Sequence, residues 1–212
     1  MSIRATFFDF GGVILSSPFE AFNRFEERTG LPRDFIRTIN ATDPDVNAWA
    51  RFERNEVPFD EFCDLFEAEC REQGHEVAAR DLMPLLLGEL RPAMVEAVRR
   101  CRDGGMVTAC LTNNWVPHEE RSAEREAAGV DGVLSLFQHI VESSVVGVRK
   151  PDPRFYEIAC QTAGVEPHEV VFLDDLGVNL KPAAAMGMTT IKVTDPTVAL
   201  EELEAVVGIP LG

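Results

Sequence analysis

Four places in the chain carry side chains that could do chemistry together. Asp9 follows the apolar pair Phe7-Phe8 and precedes Phe10-Gly11-Gly12-Val13, so a carboxylate is delivered from a hydrophobic run onto a glycine loop. Thr112 and Asn113 close the run Ala109-Cys110-Leu111 and offer a hydroxyl, side-chain amides and backbone N–H groups to an anionic oxygen. Lys150 stands in Gly147-Val148-Arg149-Lys150-Pro151-Asp152-Pro153, ahead of a helix start, and Asp174-Asp175 follows Val170 to Leu173. Each has a plainer reading when taken singly: a turn for Asp before Gly, a cap for Thr-Asn, a solvated loop lysine for Lys150. Taken as a set they account for one another. Two like charges about 4 Å apart cost on the order of 4 kcal/mol at an effective dielectric of 20, so carboxylates gathered around an anionic substrate need both a cation and an ammonium. Hard oxygen ligands of this kind suit Mg²⁺, which takes one or two carboxylates and keeps its waters.

The elements that must position these groups can be read from the apolar pattern. Ile3 to Phe10, Met106 to Thr112, Val170 to Leu173 and Thr189 to Val193 are short, apolar or β-branched runs bounded by Gly, Pro or Asp, and Gln138 to Val141 is a weaker fifth. Alternation of such runs with amphipathic stretches predicts βαβ units and a parallel sheet, with helices beginning near Pro92, Pro117, Pro153 and Gly177. In an open sheet of that type ligands bind beyond the carboxyl ends of the strands, where all four groups fall. Between the first two strands, about Ser17 to Leu90 carries no strand signal. Phe22, Phe25 and Glu26, then Trp49 and Phe52, then Phe59, Phe62, Leu65 and Phe66 fall at helical spacing there, with Pro58 suited to a first turn. This predicts an inserted helical cap over the strand ends, most of whose aromatics form its own core. Phe19, Phe22 and Trp49 are the candidates to face the crevice.

Composition narrows the function classes. The chain has 212 residues, enough for one core domain with a modest insertion, and 36 Asp and Glu against 20 Lys and Arg give a formal charge of -16. That balance repels nucleic-acid backbones and anionic lipid surfaces, so neither is expected as a partner. There is no signal-peptide pattern and no apolar run of membrane-spanning length, which predicts a cytoplasmic protein. Cysteines 63, 70, 101, 110 and 160 are odd in number and show no C-x-x-C spacing, so they read as free, mostly buried thiols.

At these residues the sequence resembles the haloacid dehalogenase superfamily, whose four motifs match in order as Asp9 with its glycine loop, Leu111-Thr112-Asn113, Lys150-Pro151 and Asp174-Asp175. The stretches Glu142-Ser143-Ser144, Gly147 to Pro153 and Phe172 to Lys181 are similar to the phosphatase-like N-terminal domain of soluble epoxide hydrolases and to the related domain fused to some acyl-CoA dehydrogenases. The resemblance implies a Rossmann-like α/β core of three layers over residues 1–16 and 91–212, and a helical cap of the family's first type over 17–90. It implies a nucleophilic Asp9 forming an acyl-phosphate, Thr112 and Asn113 binding phosphate, and Lys150 neutralising charge. It places Mg²⁺ on Asp9, Asp175 and the backbone carbonyl of Gly11, with Asp174 and Gly12 in support, and suggests a cis Lys150-Pro151 peptide.

One departure matters. Most phosphatases of the family carry a second Asp two residues after the nucleophile, as general acid and then base, and here that position is Gly11. The expected activity is a Mg²⁺-dependent phosphate monoester hydrolase acting on a small molecule, as a monomer or homodimer. The lost carboxyl keeps two other readings open: a 2-haloacid dehalogenase, whose halide leaves without protonation, and a degenerate binding or regulatory module. Against the dehalogenase stands Asp174-Asp175, since that chemistry needs no metal and bare carboxylates disfavour a carboxylate substrate.

Overall fold

A computed structural model describes residues 2–114 and 129–211. Five strands, β1 (Ala5–Phe8), β2 (Val107–Thr112), β3 (His139–Glu142), β4 (Val170–Asp174) and β5 (Thr189–Lys192), form one parallel sheet in the order β3-β2-β1-β4-β5. β1 and β4 lie inside the sheet and are buried along their whole length, which is why they read as unbroken apolar runs rather than alternating ones. The first strand is shorter than the Ile3 to Phe10 run, because Asp9 onward leaves the sheet as a glycine loop. β3 falls one residue later than the weak fifth run.

The strand period of two divides the core between the faces of the sheet. Ala5, Phe7, Ala109, Leu111, Val170 and Phe172 pack against α9 (Pro153–Ala163) and α10 (Gly177–Ala185), through Phe155, Tyr156, Ala159, Leu180 and Ala183. Phe8, Cys110, Val171 and Leu173 face the other way, against Met94, Ala97 and Val98 of α6 (Pro92–Asp103) and Ala199 and Leu203 of α11 (Pro196–Val207). Helices on both faces make the three-layer α/β architecture. α7 (Val130–Leu134) and α8 (Ser143–Val146) complete the described helices of this half. The starts at Pro92, Pro153 and Gly177 agree with expectation, while Pro117 lies outside the described residues. No helix among the described residues is long and apolar enough to cross a membrane.

Between β1 and β2 the chain forms α1 (Pro18–Thr29), α2 (Phe35–Ala41), α3 (Ala48–Glu53), α4 (Phe59–Glu72), α5 (Ala79–Leu82) and a 3₁₀ turn at Met83–Leu86. These helices share a third hydrophobic cluster, including Phe22, Phe25, Ile36, Trp49, Phe52, Phe62 and Phe66. Phe62 stacks on Phe52 with ring centroids 4.3 Å apart and meets Trp49 edge-on at 4.8 Å. Phe22 and Trp49 therefore belong to that interior rather than to a crevice wall, and Phe19 packs on its edge under the Arg37 guanidinium. Glu26, at the helical spacing of an apolar position, is buried because its carboxylate accepts the backbone N–H groups of Asp34 (2.7 Å) and Ile36 (2.9 Å). The segment joins the sheet through a narrow pair of chains: Ser16 N–H donates to Glu89 O (2.8 Å) and Arg91 N–H to Ile14 O (2.9 Å). Gly88 is needed in this linker, since a Cβ would stand 2.5 Å from the Ser16 carbonyl oxygen.

Candidate active site

Asp9 sits at the carboxyl end of β1, held by its N–H to Leu173 O (2.8 Å) from the neighbouring β4. Pairing stops there because the loop turns at Gly12, whose φ of 77° is a left-handed conformation natural to glycine. Space makes the same demand: a Cβ on Gly12 would lie 2.3 Å from a carboxylate oxygen of Asp175, so that side chain rests directly on the glycine backbone. Gly11 differs. Its φ is -70° and a Cβ there meets nothing within 4 Å, so the position can hold a side chain that it lacks.

Lys150 arrives from the loop before α9. Its peptide bond to Pro151 is cis, as the resemblance suggested. Only 1 % of the side chain is exposed, and its ammonium lies 2.9 Å from Asp9 Oδ1 and 2.7 Å from Asp174 Oδ2, with the Phe172 ring 5.6 Å away. Burial opposes the charge, but Asp174 and Asp9 outweigh it and hold the lysine pKa above its ordinary value, so Lys150 stays an ammonium. Asp9 Oδ1 also accepts the Phe10 N–H at 2.6 Å. Burial pushes the Asp9 carboxyl well up, opposed by Lys150 and reinforced by Asp174 and Asp175. For Asp175 burial, then Asp174, raises the pKa to about 6.

The two adjacent aspartates are not equivalent. Asp174 is fully buried and fully engaged: Oδ1 accepts from Leu176 N–H (2.8 Å) and Asn179 Nδ2 (3.0 Å), and Oδ2 from Lys150 and Asn179 (3.0 Å). Among the described residues the Asp175 carboxylate accepts one long hydrogen bond, from the Ser17 hydroxyl at 3.5 Å. Oxygens of Asp9, Asp174 and Asp175 lie within 4.8 Å of one another. At that separation and an effective dielectric of 20, each like-charged pair repels by about 3.5 kcal/mol, and one ammonium among three ionised carboxylates leaves two negative charges without a partner cation. The donor set, all hard oxygen with Asp9 and Asp175 incompletely satisfied, therefore fits a small divalent cation.

Thr112 and Asn113 end β2 beside this corner. The Thr112 hydroxyl makes one long contact, to Asn113 O at 3.4 Å. The Asn113 amide is committed elsewhere: Oδ1 accepts the Lys150 N–H (2.9 Å) and Nδ2 donates to the Lys150 carbonyl (3.0 Å). It thus anchors the lysine loop with a paired side-chain-to-backbone bond. Asn114 is tied in turn to Glu142, Ser143 and Ser144.

The structure thus sets Asp9 and Asp174 against Lys150 and brings an oxygen of Asp175 within 4.8 Å of both carboxylates, with Thr112, Asn113 and the Gly11-Gly12 loop around them. Sequence reasoning missed Asn179, which grips both Asp174 oxygens, and Arg91, whose Nη1 donates to Gly12 O at 2.6 Å and so fixes the glycine loop. Asn179 could have been found five residues after Asp174, in the first turn of the helix that begins at Gly177, but nothing in the sequence pairs Arg91 with Gly12.

Comparison with known proteins agrees. The chain is 36% identical to acyl-CoA dehydrogenase family member 10 of Mus musculus, over 99% of this chain and 20% of that protein. It is 33% identical to bifunctional epoxide hydrolase 2 of Sus scrofa, over 100% of this chain and 40% of the relative. The chain thus spans between a fifth and two fifths of the length of these relatives. Sesquiterpene phosphatase astK of Aspergillus oryzae is 28% identical over 98% of both chains. Among solved structures, a family enzyme of Bacteroides thetaiotaomicron in complex with magnesium and inorganic phosphate aligns with a TM-score of 0.61 at 19% identity, covering 90% of this chain and 94% of the other. The family model of haloacid dehalogenase-like hydrolases matches residues 3–187, and the chain belongs to that family.

Proposed function

We propose that this hydrolase cleaves phosphate monoesters with the help of Mg²⁺, through a phosphorylated Asp9. The observation that carries the reading is the buried Lys150 ammonium between Asp9 and Asp174, with Asp175 close by and not fully partnered. Asp9, Asp175 and the Gly11 carbonyl would hold the cation. Bound there, Mg²⁺ would offset the carboxylate charge and polarise the phosphoryl group. Asp9 attacks phosphorus as the ester oxygen leaves, and water then splits the acyl-phosphate to inorganic phosphate and free Asp9. Lys150 stabilises charge on the phosphoryl oxygens, Asp174 and Asn113 keep it aimed, and the Thr112 hydroxyl with nearby backbone N–H groups receives a phosphoryl oxygen. The phosphatase among the relatives supports this reading. We read residues 1–16 and 91–212 as the catalytic core and 17–90 as its cap, with a small-molecule ester bound between them.

Gly11 supplies no acid, so the leaving oxygen departs with its charge or takes a proton from solvent. A positioned acid is worth roughly 10²–10⁴ in rate, and aryl phosphates should therefore be cleaved far faster than alkyl phosphates. A Cβ at Gly11 meets nothing within 4 Å, so Gly11→Asp should fit and narrow the gap. Phosphate release from p-nitrophenyl phosphate and an alkyl phosphate, with and without Mg²⁺, tests both statements. Equal rates on the two classes in the unaltered protein would contradict the missing-acid account. Chloride release from 2-chloropropionate without Mg²⁺ would replace the phosphatase reading with the dehalogenase one.

A further inference from the structure

Arg149 lies next to Lys150 yet points away from the carboxylate cluster and into the helical segment. Its Nε is 2.7 Å from Glu53 Oε2 at the end of α3, and its Nη1 donates to the Pro44 carbonyl at 2.9 Å. The pair is largely buried, with 21 % of the Arg149 side chain and 15 % of the Glu53 side chain exposed. Burial raises the Glu53 pKa, opposed first by Arg149 and next by Lys150. Both partners are set firmly. Glu53 follows from α3, whose first turn is capped by Asn47 accepting the Ala50 N–H at 2.9 Å, and the Asn47 amide also ties to Asn40 O and Thr42 O. On the other side, residue 150 is clamped by Asn113 and its ammonium by two aspartates.

We propose that Arg149 is the latch by which the core holds the helical segment closed over the site, and so a positioning residue for substrate capture. The proposal deepens the phosphatase reading, since it assigns access to the same site. Three features support a latch over a mere surface tie. The segment has its own hydrophobic interior and joins the sheet through the narrow Leu15–Ser16 and Gly88–Arg91 chains, which suits rigid-body movement. The two ionic partners come from opposite sides of that linker, and separation would let both hydrate. Lys150 has anchors of its own, so loss of the Glu53 contact should alter closure and leave the chemistry in place.

The test needs no turnover. Spin labels at Asp64→Cys on α4 and Gln161→Cys on α9 occupy exposed positions, and the five native cysteines are buried. Electron–electron distance measurement should give one dominant separation in the otherwise unaltered protein. Arg149→Met or Glu53→Gln should add a longer population, and the double variant Arg149→Met with Glu53→Met should add no more than either single change. In steady state each single variant should raise KM for p-nitrophenyl phosphate roughly tenfold, within the 5–150-fold span of typical couplings, with kcat retained at saturation. An unchanged distance distribution in both single variants overturns the latch, whatever the activity. A fall in kcat at constant KM overturns it too, by moving the role of Arg149 to Lys150. If Arg149→Met does not fold, Arg149→Lys keeps the charge but cannot span Glu53 and Pro44, and it must still show the longer population. Failure of the phosphatase reading would leave the distance result standing, so the two are separable.

Discussion

The carboxyl end of the sheet and the helical segment above it use opposite means to hold a shape. At the sheet, buried polar groups constrain one another: Asp174 takes four hydrogen bonds, Lys150 is bound at both its backbone and its ammonium, and Gly12 leaves room for Asp175 only because it has no side chain. In the segment, order comes from aromatic burial around Phe62, Phe52 and Trp49, with buried polar groups such as Glu26 and Asn47 serving as caps. The first kind of region tolerates little chemical change but demands few residues, which suits a reaction centre. The second can repack while keeping its stability, which suits a part that must recognise different substrates.

The largest effect that would break this contrast is at Asp9. Asp9→Ala should remove Mg²⁺-dependent phosphate release by about 10⁴-fold or more, as loss of a nucleophile does, while leaving the thermal transition of the helical segment unmoved. Residual activity near that of the unaltered protein would place the chemistry elsewhere.

Next comes Phe62→Ala, which opens a void in a fully buried aromatic stack and should cost about 3–5 kcal/mol. Calorimetry should then resolve an early transition for the segment ahead of the sheet. One transition, shifted as a whole, would show that the two hydrophobic interiors are a single cooperative unit.

A smaller effect concerns the charge left at the site. Burial and the neighbouring Asp174 raise the Asp175 pKa to about 6, above the ordinary range of an aspartate. A raised carboxyl favours the fold fully only below its unfolded pKa, and the benefit is lost as pH rises through the folded value. Metal-free stability should therefore decline between about pH 4 and pH 6, by up to roughly 3 kcal/mol from this group. Mg²⁺ should restore it, so the Mg²⁺-induced rise in Tm should be larger at pH 7.5 than at pH 5, and Asp175→Asn should stabilise the metal-free protein at pH 7.5. A Tm difference between Asp175→Asn and the unaltered metal-free protein that fails to grow from pH 4 to pH 7 would contradict this sign.

Much of the sheet region was legible in the sequence. Interior strands of a parallel sheet must be apolar on both faces, so Val170 to Leu173 and the Phe7-Phe8 pair stand out, and polar residues directly after such runs fall at the ligand-binding edge. What escaped was pairing across distance: Arg149 with Glu53, Arg91 with the Gly12 carbonyl, and the capture of the Asn113 amide by Lys150, none of which leaves a periodic mark. The segment was legible as helical, but spacing says only which side of a helix is buried and not against what. Phe22 and Trp49 illustrate the limit, having the right period for either a crevice wall or an interior.

The smallest predicted effect follows from one of those hidden pairings. Asn113→Ala removes two hydrogen bonds that hold the lysine loop and should lower kcat about tenfold with little change in KM. A change confined to KM would instead assign the Asn113 amide to direct contact with phosphate.

A covalent trap reads phosphorylation of Asp9 without any intervening step. Brief reaction with ³²P-labelled aryl phosphate and Mg²⁺, quenched in acid, should leave a hydroxylamine-sensitive label on the peptide that contains Asp9. The label should be missing in Asp9→Asn and strongly reduced without the metal. Labelling that persists in Asp9→Asn, or phosphate release with no labelled protein at any time point, would contradict the account.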